Sequence, residues 1–488
     1  MNNIFDKLKN YSDSDYYAFH MPGHKRNLDL MDGTSPYRID ITEIDGFDDL
    51  HHAEGILRDA QERAARVYHA DETHFLVNGS TVGILSAILG TTEKGDSILV
   101  ARNCHKSVYH AIYLNELDPV YLYPKFDTEQ GLSTEIDAAD VQKALEEHPK
   151  IRAVMIVSPT YDGVVSDIEK IAEIVHAKGC PLIVDEAHGA HFGFDPYFPE
   201  SANMYGADLV INSLHKTLPA LTQTALLHVN GDMVKRRKVK QYLDMLQTSS
   251  PSYILMASID ACIGMLEETL ETHSDARSDY KYKNIFSEYA NRIEALRKDL
   301  KRLKYLKIIQ TDNTDRYDRS KFVISVKHAP MSSHELYEIL LHRYHLQMEM
   351  LAGTYVLAMT TVGDTQEGLD RLRDALLEID KEIDTKQGRP AAIETDLPLS
   401  GRQPALEKVW TIAEAVNRRD KIQKRSFEDS IGCISVEYAY LYPPGSPLIV
   451  PGERITKEAV EILHWYQEHD FSIEGLQSED GIEVWIDG

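Results

Sequence analysis

The sequence predicts an α/β protein built on a mainly parallel sheet with helices on both faces, followed by smaller α/β portions toward the C-terminus. Three observations carry that reading. Short, continuously apolar runs recur between residues 97 and 229, as strands buried on both faces require. Helical patterns separate them, which is the alternation of a sheet covered on each side. Past Pro251 the pattern turns to long helices and then to a second, shorter α/β stretch.

Taken in order, residues 1–50 are mixed, rich in Asp, Tyr and Gly, and read as an arm of short helices and loops. An amphipathic pattern predicts a helix over Glu54–Tyr68. Strands are expected at Ser97–Val100, Ile151–Val157, Pro181–Asp185, Ala207–Ile211 and Ala225–Val229, with a helix over Asp167–Lys178. Helical patterns over Ile254–Glu271 and Asn284–Leu303 follow, then strands at Phe322–Val326 and Tyr355–Met359. Thr385–Ala392 reads as a linker, and a compact tail runs from Leu399 to Gly488.

A length of 488 residues suggests roughly three domains, and 43% hydrophobic with 27% charged residues is the composition of a soluble globular chain. The net charge of −26 argues against nucleic acid and anionic membrane surfaces as partners. Cys104, Cys180, Cys262 and Cys433 are scattered without a Cys-x-x-Cys pair, so neither a disulfide framework nor a zinc site is expected. The polar start Met1–Lys7 lacks the apolar core of a signal peptide, and no apolar run reaches the roughly 20 residues of a membrane helix. A cytoplasmic location is expected.

In a parallel sheet, ligands bind beyond the carboxyl ends of the strands, and four features fall there. Asn78-Gly79-Ser80-Thr81 precedes a helical run, where hydroxyls and free N–H groups favour a phosphate. His105 follows the strand ending at Val100, so its imidazole is placed to stack on a bound ring. Asp185 ends an apolar strand, and a buried carboxylate calls for a cationic partner such as a protonated pyridine nitrogen. His188 lies just beyond it. A metal site from Asp185, His188 and His191 is disfavoured by their loop spacing and the lack of further ligands. Lys216, preceded by Ser213 and His215, stands at the end of the strand expected over Ala207–Ile211, where a lysine can bond the aldehyde carbon of pyridoxal phosphate (PLP).

The order of phosphate turn, imidazole, Asp and Lys resembles PLP enzymes of fold type I (aspartate-aminotransferase-like), and the chain resembles the Orn/Lys/Arg decarboxylase family, in particular its compact bacterial members. The likeness extends to Pro22-Gly23-His24-Lys25, to Thr42-Glu43 with Asp48-Asp49-Leu50-His51, and to Thr248–Tyr253. It includes the tail segments Tyr442–Pro447 and Val450–Glu453, which ordinary aminotransferases lack. The resemblance implies an N-terminal arm (1–50), a PLP-binding large domain (51–300), a small α/β domain (301–386) and a C-terminal family domain (399–488).

It also implies that Ser80, Thr81, Ser213 and His215 hold the phosphate, that His105 stacks on the ring and that Ala187 packs against it. Asp185 partners the pyridinium and Lys216 bonds the cofactor. Lys216, His188 and Asp185 are the expected catalytic residues, although His188 stands where other members carry an aromatic residue. The implied reaction is α-decarboxylation of a basic amino acid, arginine before lysine or ornithine, in polyamine-type metabolism, by a homodimer or an oligomer of dimers. For the distal cationic group of the substrate, Glu43, Asp45, Glu349 and Glu437 are candidate partners. A PLP-dependent aminotransferase or other lyase is the alternative, and a non-catalytic PLP-binding regulator a remoter one.

Overall fold

The computed structural model describes residues 13–20, 23–25, 27, 39–271, 282–309, 316–385, 403–418, 420–442 and 446–486. Pro22, all but the first residue of the linker expected over Thr385–Ala392, and Pro443–Gly445 of the tail signature lie outside them, while Thr385 ends the helix Gln366–Thr385.

Seven strands form the central sheet: β1 (Glu72–Leu76), β2 (Ser97–Ala101), β3 (Asp118–Leu122), β4 (Ile151–Val157), β5 (Leu182–Asp185), β6 (Leu209–Asn212) and β7 (Ala225–Val229). Their spatial order is β1-β7-β6-β5-β4-β2-β3. Strands β6, β5, β4, β2 and β3 pair parallel in sequence, whereas β7 runs antiparallel to both β6 and β1. The link from β6 to β7 holds only one helical turn, Leu214–Thr217, so β7 returns beside β6 in the opposite direction. The five anticipated strands are present. Two edge strands, β1 and β3, were not anticipated.

Strands β5, β6 and β7 are buried along their whole length, because helices cover both faces of the sheet. Gly79–Thr91 lies against the sheet and against Arg236–Leu246. The core on that side is aliphatic, with Ile98, Val154, Val184 and Val210 inaccessible to solvent. The expected helix over Asp167–Lys178 spans Ile168–Ala177, started by Asp167, whose carboxylate accepts from the Lys170 N–H.

After the helices Tyr253–Glu271 and Ile285–Leu300, a smaller sheet forms from β8 (Lys307–Ile308), β9 (Lys321–Ser325), β10 (Met350–Ala352) and β11 (Tyr355–Met359) in the order β8-β9-β11-β10. All of its pairings are antiparallel. The tail adds two three-stranded sheets and the helix Lys457–Glu468 around its own core, which includes Phe427, Leu448, Leu463 and Val484.

An ion pair fastens the tail to the central sheet. Arg102, directly after β2, donates to Glu453 Oε2 at 2.9 Å and to the Leu448 carbonyl at 3.2 Å, with both side chains about 1% exposed. Glu453 also accepts from the Val450 N–H at 2.8 Å. Removing one partner of such a pair leaves a buried, uncompensated charge. Glu453→Ala is therefore expected to destabilise the fold by about 3–5 kcal/mol in denaturant titrations. A loss below about 1 kcal/mol would show that the pair does not hold the tail in place.

Candidate active site

The carboxyl ends of the central strands open into a cavity of about 540 Å³. Ser80, Thr81, His105, Asp185, Ala187, His188, Ser213, His215 and Lys216 all line it, so the structure brings the expected catalytic and cofactor-binding residues to one place. The small sheet contributes Ala352 and Tyr355, and the tail contributes Leu448 and Tyr466.

Each position follows from local structure. Gly79 has φ 72° and starts the helix Gly79–Thr91, which puts Ser80 and Thr81 in its first turn, among N–H groups that lack helical partners. Ser80 Oγ and Ser213 Oγ lie 2.5 Å apart, forming a hydroxyl pair at that helix end. His215 Nδ1 donates to the Thr224 carbonyl at 2.8 Å. Its Nε2 donates as well only when the ring is protonated, a state that burial opposes and a phosphate dianion would restore.

Asp185 closes β5 and is 3% exposed. Burial pushes its carboxyl up, while Lys216 and the Ala187 N–H, 3.1 Å from Oδ1, pull it down. His105 caps the helix Lys106–Leu114 and holds Ser107 Oγ at 2.9 Å. Burial, with Lys216 adding to it, lowers its imidazole to about 4, so the ring is neutral near pH 7.

Lys216 does not sit at a strand end, as the sequence had suggested, but in the helical turn Leu214–Thr217 after β6. Its Nζ is 3.0 Å from His188 Nε2. Burial drives the Lys216 ammonium down and the His188 imidazole well down. Neutral His188 then accepts from Lys216 through Nε2 and carries its proton on Nδ1, a buried atom with no partner among the described residues. Behind this turn the Gly23 N–H donates to the His215 carbonyl at 2.7 Å. A Cβ on Gly23 would meet the Leu218 backbone at 2.7 Å, which is why the arm presents glycine there.

Several expectations need correction. Glu43 and Asp45 are solvent-exposed, and Glu437 accepts from the Gln477 and Glu483 N–H groups inside the tail. Glu349 accepts the hydroxyl of Tyr161, whose ring lies 4.4 Å from that of His188. None of the four lines the cavity. His191 belongs to a separate buried group with Asp318 and Lys321. The cavity holds one carboxylate besides Asp185 among the described residues, Asp162, which lies on a polar loop with no strand-end or motif signal to single it out.

The donor set fits PLP. A hydroxyl pair and a free helix end suit a phosphate, Asp185 lacks a cation in hydrogen-bond contact among the described residues, and Asn103 Oδ1 and His188 Nδ1 are buried without partners there. Comparison with known proteins settles the family. Residues 2–339 match the profile of the Orn/Lys/Arg decarboxylase major domain, and residues 402–484 that of the Orn/Lys/Arg decarboxylase C-terminal domain.

The chain belongs to the Orn/Lys/Arg decarboxylase family. Its members are PLP-dependent amino-acid decarboxylases. This decarboxylase is 36% identical to the Bacillus subtilis protein YaaO over 94% of its own length and 93% of that protein. It is 31% identical to a B. subtilis arginine decarboxylase, covering 94% of this chain and 92% of the relative. Lysine decarboxylase LdcA of Pseudomonas aeruginosa is 25% identical over 54% of this chain and 40% of its own length. In fold, the decarboxylase is similar to the Francisella novicida lysine decarboxylase LdcF, with a TM-score of 0.77 at 18% identity over 98% of this chain and 80% of that one.

Proposed function

We propose that this decarboxylase binds PLP through Lys216 and removes the α-carboxylate of a basic amino acid, arginine in preference to lysine or ornithine. The observation that carries the proposal is the convergence of Lys216, His188, Asp185 and the Ser80–Ser213 hydroxyl pair in one cavity. Preference for arginine is supported by relatives of that name matching along nearly the whole chain.

When bound, PLP supplies the electron sink that accepts the electron pair left on Cα as CO₂ departs. Ser80, Thr81, Ser213 and His215 bind the phosphate, and His105 and Ala187 enclose the ring. Asp185 holds the proton on the ring nitrogen. Lys216 then delivers a proton to Cα, with His188 fixing the position of its Nζ. Delivery to Cα rather than to the cofactor's own carbon separates amine formation from transamination. No arginine lines the cavity among the described residues, and Arg343 is exposed, paired with Glu378 and Glu382. An aminotransferase-type grip on the substrate carboxylate therefore has no support there.

The same reading makes the protein a cytoplasmic homodimer, or an oligomer of dimers, that feeds polyamine synthesis. Incubation of PLP-loaded protein with arginine, lysine and ornithine separately, with amine and CO₂ measured, tests it. Fastest release from arginine is expected. With the cofactor verifiably bound, absence of amine from all three sinks the proposal, and keto acid in place of amine favours the aminotransferase.

A further inference from the structure

Asp162 is 7% exposed and lies on the loop after β4, and its Oδ1 accepts the hydroxyl of Tyr355, from β11, at 2.5 Å. No Lys, Arg or His pairs with it among the described residues, unlike Asp318, which holds both Lys321 and His191. Asp162 and Asp185 are the two carboxylates of the cavity there, and the cofactor's ring nitrogen claims Asp185. A buried carboxylate with one hydroxyl for company is costly in its charged form. Burial accordingly lifts the Asp162 carboxyl to about 6, against the pull of the Tyr355 hydrogen bond.

The surroundings suit a cation. Tyr161, Tyr355 and Tyr466 line the same cavity. Asp162 and Tyr466 both push the Tyr355 hydroxyl further up than burial alone, which places these groups in one neighbourhood. Tyrosine faces and a carboxylate together attract an ammonium or a guanidinium that has left water.

We propose that Asp162, held by Tyr355 and walled by Tyr161 and Tyr466, is the subsite for the cationic end of the substrate side chain. The assignment rests on the basic-amino-acid reading above and supplies the carboxylate that Glu43, Asp45, Glu349 and Glu437 do not. A ligand cation there completes a pair that the fold leaves half made.

The test compares the PLP-loaded wild type with Asp162→Asn, after cofactor absorption and melting temperature show that both are folded and loaded. Calorimetric affinity for agmatine and cadaverine, amines that need no turnover to bind, is expected to fall about tenfold or more in the variant. KM for arginine and ornithine is expected to rise about 10- to 100-fold with kcat changed far less, while KM for their neutral isosteres, citrulline and norleucine, stays level. Equal effects on charged and neutral ligands, or none, overturn the subsite. If wild type decarboxylates arginine and Asp162→Asn matches it, the subsite fails and the function stands. If Asp162 governs amine binding but no CO₂ is released, the function fails and the subsite stands. Tyr355→Phe keeps the carboxylate and removes only the hydroxyl, so it serves if Asp162→Asn does not fold. It should raise KM for the charged substrates alone by about three- to tenfold, and equal change for the neutral ones is again the contrary result.

Discussion

Lys216→Ala is expected to abolish the visible absorption of the lysine-bound cofactor and to slow CO₂ release by about 10³-fold or more. Two roles are lost together. Lys216 is the amine proposed to bond the cofactor, and its Nζ, 3.0 Å from His188, is the proposed proton donor to Cα. The cavity is built for such an amine, because burial lowers the ammonium and makes the neutral, nucleophilic form easier to reach. Asp185 and Glu349 oppose that shift and keep Lys216 from losing its proton too readily. His188 is a poor substitute, because burial, which the variant keeps, holds its imidazole well below its ordinary value. Spectra and single-turnover rates on the purified variant check both roles. Retained absorption together with wild-type turnover would remove Lys216 from the mechanism.

Asp185→Asn is expected to leave the fold and phosphate binding intact and to lower kcat by about 10²- to 10³-fold. The amide is close in shape to the carboxylate and can still accept from the Ala187 N–H. It carries no charge, so the ring nitrogen loses the partner that keeps it protonated. A pH dependence accompanies this. Burial raises the Asp185 carboxyl, so the wild type binds the protonated ring best above the Asp185 pKa and progressively less well as pH falls through it. The variant should lack that acid limb. Equal kcat for wild type and variant, with identical pH profiles of cofactor affinity, would show that Asp185 does not govern the ring nitrogen.

Much of the fold is legible because its inner strands are dominated by apolar residues: Ile151–Val157, broken only by Arg152, and Leu209–Asn212, polar only at Asn212, announce themselves by composition. The edge strands do not. β3 carries Asp118 and Pro119, which read as a turn and are tolerated in a strand because no further strand pairs on its outer side among the described residues, where Lys408 instead donates to Asp118 and to the Pro119 carbonyl. β1 contains Thr73 and His74 among apolar residues, and Thr73 is accommodated only because its hydroxyl meets His228 Nδ1 at 2.7 Å across the sheet. The reversed direction of β7 is equally silent, since an apolar strand looks the same run either way.

The candidate site divides along the same line. His105, Asp185, Ala187, His188, Ser213, His215 and Lys216 could be selected from sequence because each sits at or just past the end of an expected strand, and Ser80 and Thr81 because a glycine turn with hydroxyls opens a helical run. Asp162 could not. Thr160-Tyr161-Asp162-Gly163 reads as a polar turn, and its aspartate becomes a buried cavity group only when Tyr355, 193 residues later, closes over it. Glu453 likewise looks like a surface charge until Arg102 meets it across the junction of sheet and tail. Local pattern and chain order determined the inner strands of the sheet, the candidate cofactor residues and the resemblance to the family. Tertiary structure alone decided which carboxylates are buried and what they face, because burial and pairing depend on segments brought together from distant parts of the chain.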